Sequence, residues 1–183
     1  MAVDLDEPII RERIIAAQQS LGQTGANLKI VEPGIMHLTL RFLGEIPQMT
    51  VDRIKDAMGE LRFQPFIAQF AGIGAFPNLR RISVVWVGIT RGQEELNGIF
   101  RQLEPRLRKI GLSPDNKGFS PHMTVARVRS GINRDALAKY IESMREHDFW
   151  ADDRGSGQAE EEHTNPKGAN LHNNPRSACL YLT

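Results

Sequence analysis

The sequence predicts an α+β fold made of two similar halves, and three observations support this. Segments rich in Val, Ile, Leu and Phe alternate with segments whose apolar residues recur at helical spacing. Pro, Gly and Asn separate these segments, as they do at turns. The tetrapeptide His-Leu-Thr-Leu at residues 37–40 returns as His-Met-Thr-Val at residues 122–125, each time within an apolar stretch. The repeat predicts one equivalent strand in each half.

In the first half the pattern predicts a short strand, a helix, two strands and a second helix. These segments are, in order, residues 1–5, 8–22, 28–31, 35–43 and 50–61. Pro8 favours a helix start, and Gly22 favours its end. Pro33 and Gly34 form the turn between the two strands. Thr50 is a residue type that caps the first turn of a helix.

In the second half we expect two strands, a long helix, a third strand and a last helix. These segments are, in order, residues 65–70, 82–89 and 96–110, the strand that begins at His122 and the helix that follows Asn133. The glycines and the proline of residues 72–78 predict a loop between the first two strands. Gly111 ends the long helix at the position where a left-handed residue is needed. Asn133 is expected to cap the last helix.

Composition limits the class of protein. The chain has 183 residues, 40% of them hydrophobic, which suits one domain with a substantial core. Residues 1–149 carry 20 Lys and Arg against 17 Asp and Glu, an excess too small to indicate nucleic-acid binding by itself. A single cysteine excludes an internal disulfide. Since no long apolar run and no signal peptide are visible, we expect a cytoplasmic protein without a membrane partner. We also expect a monomer.

Residues 150–183 differ in character from the rest. Residues 151–170 contain no Val, Ile, Leu, Met, Phe, Tyr or Trp, so they cannot bury enough apolar surface to become ordered. We expect a disordered tail. With suitable synonymous codons, a one-base shift at Trp150 yields a segment with strand-like alternation, so we further hypothesise a frameshifted final strand, which would leave a sheet edge unpaired. A gene sequence with no insertion or deletion near codon 150 would count against this origin.

The two repeats carry groups for acid-base chemistry. Residues two apart in a strand point to the same side, so each repeat presents one imidazole beside one hydroxyl. If the two strands face each other across a cleft, His37, Thr39, His122 and Thr124 form one site. Histidine, with an ordinary pKa of about 6.5, is an acid or a base near neutral pH. Two histidines can activate a water and protonate a leaving alkoxide at a phosphodiester, while threonine hydroxyls bind the phosphate oxygens.

No group that usually completes a metal site accompanies these histidines. The sequence has no His-x-His pair, no His-Glu-x-x-His run and no cysteine cluster. We therefore expect neither a metal ion nor another cofactor.

Three further residues lie near the repeats. Arg41 follows the first repeat on the face of His37, where its guanidinium would bind phosphate; a surface salt bridge is the alternative. Strict alternation puts Arg127 on the face opposite His122, so it reaches the site only if the strand twists or bulges. Phe42, at the equivalent position of the first repeat, is expected in the core rather than as a platform for a base.

Several segments together carry a family resemblance. They are the two His-x-Thr-x motifs, the extension of the first motif to Gly44, and the segments Gly74–Pro77, Val85–Gly88 and Phe119–Arg127. They resemble the 2H phosphoesterase superfamily, and within it the 2′-5′ RNA ligase-like group, the RNA 2′,3′-cyclic phosphodiesterases. The resemblance runs from about Ala2 to Phe149. We therefore expect residues 1–149 to form one domain of two interleaved lobes with one motif each.

The resemblance implies a bilobal, pseudo-twofold fold in which two antiparallel sheets, flanked by helices, enclose a central cleft. It implies metal-independent hydrolysis of RNA 2′,3′-cyclic phosphate termini to 2′-phosphate ends. In that reaction His37 would be the general acid toward the 3′ oxygen and His122 the general base for water. Thr39 and Thr124 would hold the phosphate, and the family also uses an arginine at the place of Arg127.

Two alternatives remain open from the sequence. Reversible 2′-5′ RNA ligation, or hydrolysis of a small cyclic nucleotide, needs the same two histidines. A non-catalytic module that binds RNA ends would use the threonine and arginine groups without turnover.

Overall fold

The computed structural model describes residues 1–5, 7–115, 118–149 and 180–182. The strands are β1 (Ala2–Leu5), β2 (Leu28–Ile30), β3 (His37–Thr39), β4 (Gln69–Asn78), β5 (Arg81–Arg91), β6 (His122–Val128) and β7 (Leu180–Leu182). The helices are α1 (Pro8–Gln23), α2 (Gln48–Gly59), α3 (Gln93–Lys109) and α4 (Arg134–Ser143), with a short 3-10 helix at Pro33–Ile35.

The strands form one antiparallel sheet. Its order is β4-β5-β6-β3-β1-β7, and β2 also pairs with β6. Along one edge, β6 therefore has two partners in succession, β3 near its beginning and β2 near its end. The two halves of the sheet meet at a single paired position, Leu38 opposite Met123. We call these two residues the junction pair.

The helices and the inward side chains of the sheet form one hydrophobic core. The sheet contributes the junction pair, Val85 and Val87, all fully buried. The helices contribute apolar residues at helical spacing, among them Ile10, Ile14 and Leu21 of α1, Ile54 of α2, Leu96, Leu103 and Leu107 of α3, and Leu137 and Ile141 of α4. None of the helices in the described ranges is long and apolar enough to cross a membrane.

The predicted α+β class, the antiparallel pairing and the flanking helices are confirmed. The strands are joined into one sheet where two were expected, because β3 and β6 hydrogen-bond at the junction pair. The two histidine strands consequently lie side by side and do not face each other across a cleft.

Some predicted boundaries differ from those observed. The first histidine strand ends at Thr39, because the chain bends at Leu40. Residues 72–78, predicted as a loop, belong to β4, which pairs with β5 along its length. Gly74 of this segment lies opposite Trp86, and the indole occupies the space of the missing side chain. Glycine therefore marks a close approach of a ring here and not a turn.

The end of the chain is partly described. Leu180–Leu182 form β7, which pairs antiparallel with β1 and places Leu182 opposite Val3. These three residues belong to the segment for which the sequence predicts disorder, and their Leu-Tyr-Leu composition suits a strand. Residues 150–179, on which the frameshift hypothesis rests, lie outside the described part.

Replacing Leu38 with Ala is expected to lower the free energy of unfolding by about 2–5 kcal/mol, because this fully buried residue joins the two half-sheets. Urea denaturation followed by circular dichroism measures the effect. Met49→Ala is the control, since Met49 is 77% exposed and its loss should change stability by less than about 0.5 kcal/mol. Equal losses in the two variants would contradict a structural role for the junction.

Candidate active site

The junction pair fixes how the two repeats meet. Directly opposite residues of antiparallel strands point to the same side, and here both are fully buried. Continuing the register by one residue in each direction places His37 opposite Thr124 and Thr39 opposite His122. All four side chains therefore point away from the core. Opposite Cβ atoms in such a pair lie about 4.5–5.5 Å apart, and diagonal positions about 7–8 Å, so a tetrahedral anion fits between the histidines.

Both histidine rings are held in the same way. Nδ1 of His37 lies 2.8 Å from the carbonyl oxygen of Ile35, and Nδ1 of His122 lies 2.6 Å from that of Ser120. A carbonyl oxygen only accepts hydrogen bonds, so in each ring Nδ1 carries the hydrogen and donates it. Nε2 then accepts a proton when the ring is neutral and donates one when the ring is protonated. In both histidines, the carbonyl group two residues upstream thus orients the ring and leaves Nε2 for proton transfer.

A depression of about 330 Å³ lies on this face of the sheet, a volume within the range of small-ligand sites. The residues that line it are Lys29, Ile30, Val31, Glu32, Ile35, His37, Thr39, Phe42, Thr124 and Arg127. Phe42 is 72% exposed, so the prediction that it belongs to the core is wrong. Its position follows β3, where the alternation of a strand no longer applies. The exposed ring offers a surface on which a planar base can stack.

Arg127 lines the same depression because β6 contains a β-bulge. Two adjacent residues of β5 lie opposite Thr124 and Ala126, so Val125 is one extra residue on β6. An extra residue reverses the side to which every later side chain points. Strict alternation required a twist or a bulge for Arg127 to reach the site, and this bulge is present. The exposed side chain of Arg127 therefore lies on the side of Thr124.

A second cation, Lys29, lies beside Arg127. Lys29 of β2 is paired directly with Arg127 of β6, so the two side chains point to the same side. Both are exposed and both line the depression. The sequence did not single out Lys29, because its place depends on pairing between segments that are far apart along the chain. Two adjacent positive charges make this side of the depression attractive to an anionic ligand.

Arg41 does not line the depression. Because β3 ends at Thr39, the alternation that grouped Arg41 with His37 stops before it. Its Nε lies 3.2 Å from Oε2 of Glu104, and its Nη1 lies 3.5 Å from Oδ2 of Asp115. The side chain is only 12% exposed. The structure thus supports the salt-bridge alternative for Arg41 over phosphate binding.

His122 packs against two aromatic rings of the neighbouring strands. Its ring centroid lies 4.9 Å from that of Phe76, edge to face, and 6.1 Å from that of Trp86. His122 is half-buried, whereas His37 is exposed. Neither aromatic contact was predictable from local sequence patterns, since the rings come from β4 and β5. These contacts hold the His122 ring at the edge of the site, while His37 stands within the depression.

The groups around this site offer proton transfer and anion binding. They are two imidazoles, two threonine hydroxyls, a guanidinium and an ammonium, and the carboxylate of Glu32 also lines the depression. No three His, Cys, Asp or Glu side chains of the described residues lie close enough together to hold a metal ion.

Comparison with known proteins places this geometry in a family. The model of the LigT like Phosphoesterase family matches residues 3–86 and again residues 87–151, so each match contains one His-x-Thr-x motif. The RNA 2′,3′-cyclic phosphodiesterase of Aeropyrum pernix is 37% identical over 132 residues, which are 72% of this chain and 75% of the relative. The protein of the same name from Archaeoglobus fulgidus is 39% identical over 129 residues, 70% and 71% of the two chains.

Solved structures agree. The crystal structure of Escherichia coli LigT complexed with 3′-AMP aligns with a TM-score of 0.60 and 28% identity, over 72% of this chain and 73% of that one. The apo form of the same protein gives a TM-score of 0.60 and 29% identity, over 70% of each chain. With both halves matched by the family model and relatives above 30% identity over more than two thirds of its length, the chain belongs to the LigT-like phosphoesterase family.

Proposed function

We propose that this protein hydrolyses the 2′,3′-cyclic phosphate at the end of an RNA strand and leaves a 2′-phosphate. The observation that carries the proposal is the pair of histidines on one face of the sheet, each with Nε2 free of the main-chain contact that holds the ring. Two threonines lie between them. The names of the relatives from Aeropyrum pernix and Archaeoglobus fulgidus support this choice of substrate.

The position of the depression supports a different role for each histidine. A terminal nucleoside stacked on Phe42 would lie on the side of His37, which would bring the ribose oxygens to that imidazole. Because the proposed product keeps the 2′ ester, the 3′ oxygen is the one that leaves. His37 donates its Nε2 proton to the 3′ oxygen as the bond from phosphorus to this oxygen breaks. The water attacks phosphorus in line from the opposite side, where His122 removes its proton. One proton is taken up and one is given, and the 2′ ester bond stays intact.

The remaining polar groups act on the phosphate. Charge builds up on the non-bridging oxygens as phosphorus becomes pentavalent, and donors placed there in advance stabilise that charge. The hydroxyls of Thr39 and Thr124 are two such donors. Arg127 adds a planar guanidinium that can bind two oxygens at once. All three side chains line the depression that would hold the nucleotide.

The first experiment is to incubate the protein in EDTA with a short RNA that ends in a 2′,3′-cyclic phosphate. We expect turnover in the chelator, because acid-base catalysis by two histidines needs no metal, and a product phosphate that resists a 3′-specific phosphatase. His37→Ala and His122→Ala should each lower the rate by about 10²–10⁴. The loss in the double variant should be far smaller than the product of the single losses.

His147→Ala is the matched control, since His147 is exposed beyond α4 and does not line the depression. Full activity in either single active-site variant would overturn the two-histidine mechanism, and loss of turnover in EDTA would overturn metal independence. Joining of the substrate to an RNA with a 5′-hydroxyl would favour the ligation alternative. Salt-dependent binding without turnover by a folded protein would favour the non-catalytic module.

The two arginines give a matched pair of variants. Arg127→Met should lower kcat/KM by about 10²-fold, the cost of losing one donor to developing charge, with little effect on stability because the side chain is exposed. Arg41→Met should lower the free energy of unfolding by about 3 kcal/mol, because it removes one partner of the buried Glu104. Its kcat/KM per folded molecule should be unchanged. A loss of kcat/KM in Arg41→Met, with full activity in Arg127→Met, would instead support phosphate binding by Arg41.

A variant of Lys29 distinguishes an RNA end from a small cyclic nucleotide as the substrate. An RNA strand continues past its last nucleoside with further phosphates, and Lys29 lies at the edge of the depression to meet them. Lys29→Gln should lower kcat/KM about fivefold for a cyclic-phosphate oligonucleotide at low salt, less at high salt, and little for a cyclic mononucleotide. Lys139→Gln, on the exposed surface of α4, is the control. Equal losses on both substrates would favour the small cyclic nucleotide.

A further inference from the structure

Gln18 is a polar residue buried in the core. It lies on α1 with 4% of its surface exposed. Among the described residues, Gln18 and Glu104 are the two polar or charged residues that are buried. Its Nε2 donates to the carbonyl oxygen of Val31 at 2.8 Å and to that of Val125 at 2.9 Å. Both hydrogens of the amide are thus directed at main-chain oxygens. A Leu or Ile side chain at this core position would be buried without the desolvation cost of an amide. The presence of glutamine therefore needs an explanation.

The two acceptors lie at the irregular point of the sheet. Val125 is the extra residue of the bulge in β6. Its carbonyl oxygen also accepts a hydrogen bond from the backbone N–H of Val31 at 3.0 Å. Val31 directly follows β2. Along this edge the pairing partner of β6 changes from β3 to β2. Gln18 therefore ties the bulge to the end of β2 where the regular ladder is interrupted.

We infer that Gln18 is a positioning residue, which acts on the proposed reaction through Arg127. The bulge is what turns Arg127 toward Thr124, and without the extra residue Arg127 would point to the core side. A bulge persists only if the backbone groups it displaces find partners. Gln18 supplies donors at that point from the core side, so it stabilises the register in which Arg127 faces the phosphate. The inference rests on the function proposed above.

A double-mutant cycle tests this. Gln18→Met keeps the length of the side chain and removes both donors. We expect it to lower kcat/KM on the cyclic-phosphate RNA by about 10-fold or more, since small displacements of a positioned group cost up to about 10²-fold. In an Arg127→Ala background the same change should cost no more than about twofold, the scatter of independent effects. Gln18→Met combined with Phe42→Leu should instead show multiplied losses, because Phe42 is not on β6.

The controls separate positioning from general loosening of the fold. Gln19→Met makes the same chemical change on the next, exposed residue of α1 and should leave kcat/KM unchanged. Circular dichroism and thermal melting verify that each variant is folded. If Gln18→Met does not fold, Gln18→Asn keeps the amide on a shorter side chain and should show the same coupling to Arg127.

The outcomes are distinct. Equal losses from Gln18→Met with and without Arg127 would overturn the inference, as would full activity of Gln18→Met in a protein where Arg127→Ala is impaired. Absence of turnover by the folded wild-type protein would instead reject the proposed function. Hydrogen exchange at the backbone amides of Ala126 and Arg127 would then test, without an activity assay, whether Gln18 holds the bulge. Faster exchange in Gln18→Met than in Gln19→Met supports that role, and equal exchange contradicts it.

Discussion

The site depends on one constraint, the register of β3 against β6. Side chains alternate along a strand, so a slip of one residue would carry every group to the other face of the sheet. Such a slip would bury the imidazoles and hydroxyls without partners and expose the two apolar residues of the junction pair. Burial of each apolar side chain is worth about 1.5–3 kcal/mol, and an unpartnered polar group costs a similar amount. The hydrophobic core therefore sets the spacing of the candidate catalytic groups.

The bulge in β6 is a second constraint, of a different kind. Apolar burial favours it, because Val125 and Ala126 are both buried and regular alternation would instead turn Arg127 to the core. It is held by hydrogen bonds, from Val31 on the neighbouring chain segment and from Gln18 on α1. The register of the histidines thus follows from apolar burial, whereas the placement of Arg127 follows from apolar burial together with satisfied backbone groups at the bulge.

Local patterns were sufficient to predict the parts of the fold and site that depend on neighbours in sequence. The His-x-Thr repeats, the apolar faces of the helices and the end of α3 at Gly111, which has φ of 100°, are of this type. Arg41 and Phe42 were misplaced because β3 is three residues long, so alternation was carried past its end. Lys29 depends on the pairing of distant strands, which no local pattern contains. Residues 72–78 have the composition of a turn, but Trp86 fills the space over Gly74.

The local twofold symmetry of the two repeats ends just outside the motifs, and this has a chemical consequence. After Thr124, β6 continues to Val128 and brings Arg127 to the depression, whereas β3 stops at Thr39. The equivalent position of the first repeat is Phe42, which offers an aromatic surface and no charge. A fully symmetric site would hold a nucleoside equally well on either side of the phosphate, and the two histidines would be interchangeable. The depression beside His37 would give a bound nucleotide a single orientation. In the proposed reaction that orientation decides which histidine meets the leaving oxygen and which meets water.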